Sequence, residues 1–188
     1  MAKAASKAPQ KTPKVKTASA NKAQKSTVKP QNKIGAPAER AGNETLFWLF
    51  KSEPDKFSWA DLVAKGEQGE EWDGVRNYQA RNNMRKMRVG DLGFFYHSNA
   101  GKDIVGICEV CALAHQDSTT DDERWECVDV RALCDVPKPV TLSDVKAAQE
   151  LCNMALVTSM RLSVQPVTTE EWAVVCRMGG LDPDKIKS

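Results

Sequence analysis

The chain changes character near residue 44, beyond which apolar and polar positions fall into patterns that specify elements. Thr45-Leu46-Phe47-Trp48-Leu49-Phe50 is an unbroken apolar and aromatic run, the signature of a buried strand. Glu53-Pro54-Asp55 stops it. Ser58 is placed to cap a short helix over Trp59–Lys65, closed by Gly66. Gly69–Gly74 reads as a loop holding Trp72. Asn77 caps a predicted helix over Tyr78–Arg88 that ends near Gly90. Asp91–His97 reads as a strand with Phe94, Phe95 and Tyr96. Two long strands follow, Asp103–Leu113 and Arg124–Val136. In the second, Trp125, Cys127, Asp129 and Arg131 alternate with Val128, Val130 and Ala132. Ser143 is read as the cap of a short helix to Leu151. Leu162–Val167 is a last strand, and Thr168 or Thr169 caps a helix over Glu170–Met178, stopped by Gly179-Gly180. No internal repeat is present. Strands with a few short helices between them predict an α+β fold, a small curled sheet or barrel with helices at its rim.

Charge divides the chain at the same place. Residues 1–43 hold nine Lys, one Arg and one Glu, a net of +9, and no aromatic residue. Such a segment cannot bury enough apolar surface to offset ordering entropy, so it is expected to be disordered. It reads as a solubilising extension or as a polybasic arm for nucleic acid or nuclear entry. Residues 44–188 hold 17 Lys and Arg against 24 Asp and Glu, a net of −7, with every Trp, Tyr, Phe and Cys of the chain. They form the predicted folded domain. A uniformly basic nucleic-acid coat is thereby excluded. No apolar run approaches the roughly 18 residues of a membrane span, and neither a secretory leader nor a membrane partner is expected.

Six cysteines invite a disulfide or metal reading. A reducing compartment is expected without a leader. Cys108-Glu-Val-Cys111 resembles half a zinc site, but residues three apart on a strand point to opposite faces, and no second such pair follows. Buried apolar thiols are the better reading. Neither a metal nor a cofactor is called for.

Between Gly74 and Gly90 lie Arg76, Arg81, Arg85, Lys86 and Arg88, and no acid. On a helix from Tyr78, Ala80, Met84 and Met87 share one face, and Arg81, Arg85 and Arg88 follow one residue later. The guanidinium stripe lies about 100° round from the apolar seam, where it can lean over a neighbouring pocket. Arginine suits phosphate because its planar fork donates two parallel bonds. The alternative is a solvated face balanced by acids elsewhere.

Three segments stand together: Phe47-Trp48-Leu49-Phe50-Lys51-Ser52-Glu53-Pro54, Trp72-Asp73-Gly74-Val75-Arg76-Asn77-Tyr78-Gln79-Ala80-Arg81, and Phe94-Phe95-Tyr96-His97-Ser98. With Arg161-Leu162-Ser163-Val164-Gln165-Pro166-Val167-Thr168 near the end, they resemble the EVE domain family over nearly all of residues 45–178. The resemblance implies a small PUA-like β-barrel flanked by helices. It also implies reading of modified nucleobases, modified cytosines in DNA above all, with no established catalytic reaction. On that footing Lys51, Ser52, Trp72, Asp73, Asn77, Tyr96, His97 and Ser98 are the candidate base pocket. Arg76, Arg81, Arg85 and Arg88 are the candidate phosphate contacts. Each has an ordinary alternative: a core position for Trp72, an inward-facing Tyr96, turn or helix capping for Ser52 and Asn77, and a satisfied strand-end residue for His97.

Other function classes stay open at this point. An RNA-binding module of the same architecture fits the same residues, although DNA is favoured. A hydrolase would draw on Ser52, Ser98, His97 and Asp73, yet the chain has no GxSxG elbow, HExxH or P-loop, and an enzyme is not expected. An interaction scaffold would rest on the basic arm. A nuclear location is expected, with the cytoplasm as alternative.

Overall fold

Gly42 and residues 44–186 are described by the computed structural model. The segment expected to be disordered, apart from Gly42, lies outside the described residues. In chain order the elements are β1 (Phe47–Ser52), α1 (Trp59–Lys65), β2 (Glu70–Glu71), α2 (Tyr78–Met84), β3 (Leu92–His97), β4 (Asp103–Gln116), β5 (Glu126–Thr141), α3 (Leu142–Ala147), α4 (Ala155–Thr158), β6 (Val164–Val167) and α5 (Thr169–Met178). The fold is α+β, one six-stranded mixed sheet with short helices, in the strand order β2-β5-β4-β3-β1-β6. β1 and β3 run parallel, and every other neighbouring pair is antiparallel.

The apolar run of β1 makes sense in a sheet covered on both sides. Trp48 and Phe50 enter one core cluster and Leu49 the other. β3 repeats the division, with Phe95 on the first side and Phe94 and Tyr96 on the second. α3, α4 and α5 cover the second side through Val145, Leu156, Trp172 and Val175. Trp172 stacks on Phe94 with ring centroids 4.2 Å apart. α1 and α2 cover the first side through Leu62, Ala80 and Met84. α2 touches both β6, an edge strand, and β5, which adjoins the opposite edge. In a flat sheet those two strands would stand roughly 19 Å apart. One short helix reaching both means that the sheet is curled, with α2 across its opening. Tight curling also forces close approaches: at Gly106 a side chain would collide with the ring of Trp59.

The structure differs from the sequence reading at several boundaries. α2 stops at Met84 rather than Arg88. The N–H groups of Lys86 and Met87 turn back to the carbonyls of Asn83 and Met84, and that of Arg88 bonds the Asp91 carboxylate at 3.0 Å. Asp91 is buried and also accepts from Leu46 N–H and Trp48 Nε1–H, both at 3.1 Å, so it ties the helix exit to β1. β5 continues past Val136 through Pro137 and Pro139. The register jumps there from Asp135 opposite Gly106 to Val140 opposite Ile104, so the prolines sit in a bulge where no ladder N–H is required. α3 is capped by Thr141, not Ser143, through a reciprocal box with Asp144. β2 and α4 occupy stretches too short or too weakly patterned to be read as elements.

Candidate nucleic-acid interface

A cleft of about 580 Å³ opens beside the C-terminal end of β1, between the turn that follows it and the loop from β2 to α2. Of the candidate pocket residues, Lys51, Ser52, Trp72 and Asp73 line it, and so does Arg76 from the phosphate set. Phe57 and Ser163 share the wall with the carboxylates of Glu53, Glu70 and Glu71 and the amine of Lys56, none of which sequence reasoning had placed in the pocket.

Each group is held in a definite state. The Trp72 backbone N–H bonds the Val128 carbonyl at 2.8 Å. Its indole meets Phe50 and Phe95 edge to face at 5.1 and 5.5 Å and is only 7% exposed. It is therefore a core residue and a fixed wall at once, not a free-standing lid. Gly74, at φ +67°, adopts the left-handed backbone that turns the loop away from Trp72 toward α2. The Ser52 hydroxyl donates to the Phe57 carbonyl at 2.6 Å, which leaves its oxygen as an acceptor for a ligand. Lys51 donates from Nζ to the Met160 carbonyl at 3.2 Å, and burial lowers its pKa to about 8. The Asp73 carboxyl is raised by burial and by the negative charges of Asp117, Glu71 and Glu70, which outweigh Arg76.

Arg76 is both wall and strut. Its Nη1 donates to Asp117 Oδ2 at 2.6 Å, and Nη2 to Thr119 Oγ1 at 3.2 Å. Asp117 also accepts the Gly74 N–H at 3.0 Å, so one buried carboxylate fastens the cleft loop to the β4–β5 connection. Burial alone would raise its pKa, but the bonds from Thr119, Arg76 and Gly74 win and hold it at about 2. Asp117 is the structural residue that sequence reasoning missed. Its signal was the Asp-x-Thr spacing, which lets Oδ1 accept the N–H of Thr119 at 2.9 Å.

The remaining pocket candidates lie off the cleft wall. Asn77 Oδ1 accepts from the N–H groups of Gln79 and Ala80 as the cap of α2. Tyr96 is 4% exposed and faces the α3–α5 core, because strand alternation turns it opposite to Phe95. Its ring centroid is 5.9 Å from Lys51 Nζ. His97 Nε2 accepts the Trp59 N–H at 3.2 Å, and Nδ1 points toward Asp103 at 3.8 Å. Ser98 donates through both N–H and hydroxyl to the Ser52 carbonyl, fixing β1 from behind.

Arg81 and Arg85 keep their helical spacing and turn toward the β4–β5 connection, while Arg88 lies beyond the end of α2. Arg85 clasps Glu126 with two bonds and depresses that carboxyl. Arg81 donates to the Arg124 carbonyl at 2.8 Å and lies over the Tyr78 ring, which itself stacks on Trp125 at 4.9 Å. Arg88 donates to the Gly42 carbonyl at 2.7 Å. Among these arginines Arg76 alone lines the cleft.

The cysteines offer no alternative centre. The Cys108 thiol is buried, donates to the Gly93 carbonyl at 3.3 Å, and has its pKa pushed far up by that burial. Burial likewise pushes the Cys127 thiol up to about 12. Among the described residues no group of three or more His, Cys, Asp or Glu side chains is placed to share a metal ion. Among the same residues no helix is long and apolar enough to cross a membrane.

The family description of the EVE domain matches residues 46–178, which include every wall of this cleft. The chain belongs to the EVE domain family. It is 36% identical to mouse thymocyte nuclear protein 1, with 75% of this chain and 76% of that protein covered. Among solved structures, protein Atu2648 of Agrobacterium tumefaciens is 66% identical, with a TM-score of 0.74 over 77% of this chain and 99% of that one. Human THYN1, solved in complex with DNA containing 5-methylcytosine, is 35% identical, with a TM-score of 0.69 over 74% of this chain and 100% of that one. The EVE domain thus accounts for both the three-motif resemblance and the curled sheet.

Proposed function

We propose that this EVE protein is a non-enzymatic reader of modified nucleobases, with a modified cytosine in DNA as its favoured ligand. The curled sheet is then a small PUA-like barrel whose open end receives the base. The observation that carries the reading is the cleft itself: an indole wall, an accepting hydroxyl, the amines of Lys51 and Lys56, and Arg76 beside Asp73 with three further carboxylates, in a volume of about 580 Å³. Its size suits a small heterocyclic ligand. Support comes from the human relative solved with 5-methylcytosine-containing DNA.

The residues divide the work. Asp73 and the Ser52 oxygen accept from a cytosine amino group, and Lys51 donates to a ring nitrogen or carbonyl oxygen. Trp72, braced by Phe50 and Phe95, supplies the apolar wall against which a 5-substituent packs. Asn77, Tyr96, His97 and Ser98 hold this constellation from behind. Arg76 at the cleft and Arg81, Arg85 and Arg88 outside it receive phosphates, exchanging present partners for the backbone. No bond is made or broken. Extruding a base costs a few kcal/mol, and stacking returns roughly 1–3 kcal/mol per base, so phosphate contacts carry much of the affinity. One added methyl is worth about 1–3 kcal/mol, which sets the scale of discrimination. Because a strongly similar relative comes from a bacterium, the proposed location is wherever the cell keeps its DNA, nuclear where there is a nucleus.

Titration of matched oligonucleotides with and without 5-methylcytosine tests the reading. The wild type is expected to prefer the modified strand by about tenfold, toward the lower end of the range for one methyl. Trp72→Phe should keep the fold and erase most of that preference. Equal affinities for both strands, indifferent to Trp72→Phe, would sink the reading. DNA against RNA competition at constant salt settles the sugar.

A further inference from the structure

Met160 is 70% exposed, the most exposed large apolar side chain among the described residues. Single exposed apolar residues are common and need no explanation. This one is unusual because the turn carrying it is held rigid from beneath. The buried Gln165 amide donates to the carbonyls of both Ser159, at 2.9 Å, and Leu162, at 3.0 Å. Leu162 N–H closes the turn onto the Ser159 carbonyl at 3.1 Å, and the Leu162 side chain is buried. Lys51, a wall of the cleft, bonds the carbonyl of Met160 itself.

The turn also has a definite place. On one side is the cleft, which Lys51 and Ser163 line. On the other is a shallow depression of about 400 Å³, lined by Asn77, Gln79, Thr158 and Arg161 as well as Met160. Arg161 is exposed and makes no ion pair among the described residues, unlike Arg76 and Arg85. An apolar tip, an exposed cation and a trough of mixed lining, in which Val157 and Leu162 join Asn77, Gln79 and Thr158, therefore follow one another beside the cleft.

We propose that the turn from Ser159 to Leu162 meets a DNA duplex and that Met160 enters the base stack, filling the gap left by the base drawn into the cleft. This rests on the base-reading function above and adds how the duplex is opened. Apolar wedges, methionine among them, insert between base steps in this way. An unbranched thioether fits an irregular gap with little strain. Arg161 takes a flanking phosphate, and the trough receives the adjoining backbone.

The test compares one 5-methylcytosine strand presented alone and in a fully paired duplex, with wild type, Met160→Ala and Met160→Leu. Thermal midpoints confirm that the exposed substitutions leave the fold intact. Met160→Ala is expected to bind the single strand within twofold of wild type and the duplex about tenfold more weakly, with Met160→Leu restoring most of the loss. A 2-aminopurine beside the modified base should brighten on binding wild type and less on binding Met160→Ala. An unchanged ratio of duplex to single-strand affinity overturns the proposal, as does an equal loss on both forms. Those results leave base reading intact if Trp72→Phe still erases the modification preference on the single strand. Absence of that preference in wild type removes both.

Discussion

Trp72 and Arg76 each serve the fold and the cleft together, and this is why single-residue reasoning separated the alternatives poorly. A sequence shows that an indole is present, but not that Phe50 and Phe95 hold it almost wholly buried at the cleft wall. His115 illustrates the same limit with a measurable consequence. Its Nε2 bonds Asp129 Oδ1 at 2.8 Å and its Nδ1 the Gln116 carbonyl at 2.9 Å, two acceptors that favour the doubly protonated ring. Its pKa is raised, first by the Asp129 bond and then by the Gln116 carbonyl, against the opposing effect of burial. A raised folded-state pKa contributes stability that is complete below the unfolded value near 6.5 and is lost as pH rises through the folded value. Lys51 acts in the opposite direction, since its lowered pKa adds stability only as pH climbs from about 8 toward 10.5. Urea midpoints should therefore fall gently as pH rises above about 6.5. His115→Gln should flatten that fall, which for a partly exposed pair is worth up to about 1 kcal/mol. An identical slope in the variant would mean the imidazolium is not held as described.

At the scale of elements, hydrophobic patterning was a good guide wherever an element buries a continuous face. β1, α1 and α5 were legible from Phe47–Phe50, from Ser58 with Gly66, and from Thr168 with Gly179-Gly180, because each boundary is a local chemical event. The misread boundaries are decided by partners distant in sequence. Asp91 ends α2 early because it also needs to reach Trp48. The bulge at Pro137 and Pro139 is a shift of register against Ile104 and Gly106 of β4. The cap of α3 is a further instance, since both Thr141 and Ser143 are competent caps and only the strand exit selects the first. Thr141 Oγ1 accepts the Asp144 N–H at 3.1 Å, and the Asp144 carboxylate accepts the Thr141 N–H at 3.0 Å. Thr141→Ala is expected to cost about 1 kcal/mol in chemical denaturation, while Ser143→Ala should stay within about 0.5 kcal/mol of wild type. Reversed costs would place the helix start two residues later.

The whole molecule poses an electrostatic problem for any polyanionic partner, because the folded part carries −7 and residues 1–43 carry +9. The sequence made that division plain, but not the way the cations are spent. Arg76, Arg85, Arg124 and Arg131 are all paired with carboxylates. The stripe therefore offers fewer free charges than its five residues suggest, and its mean attraction for DNA is partly cancelled. Affinity then has two separable parts: a diffuse attraction set by net charge and a local one set by the cleft and its flank. The diffuse part is expected to scale steeply with salt, by about 0.9 in the logarithmic slope for each phosphate neutralised on duplex DNA. Deleting residues 1–43 should weaken binding to every sequence and flatten the slope, while leaving the ratio between modified and unmodified strands within twofold of its original value. Arg81→Glu with Arg85→Glu should flatten the slope by about two further steps, also without touching the ratio. Isothermal titration at three salt concentrations separates the outcomes. If removing the N-terminal segment abolished the preference for modified DNA rather than the affinity alone, recognition would belong to that segment, and the cleft would be a feature of the fold without a role in reading.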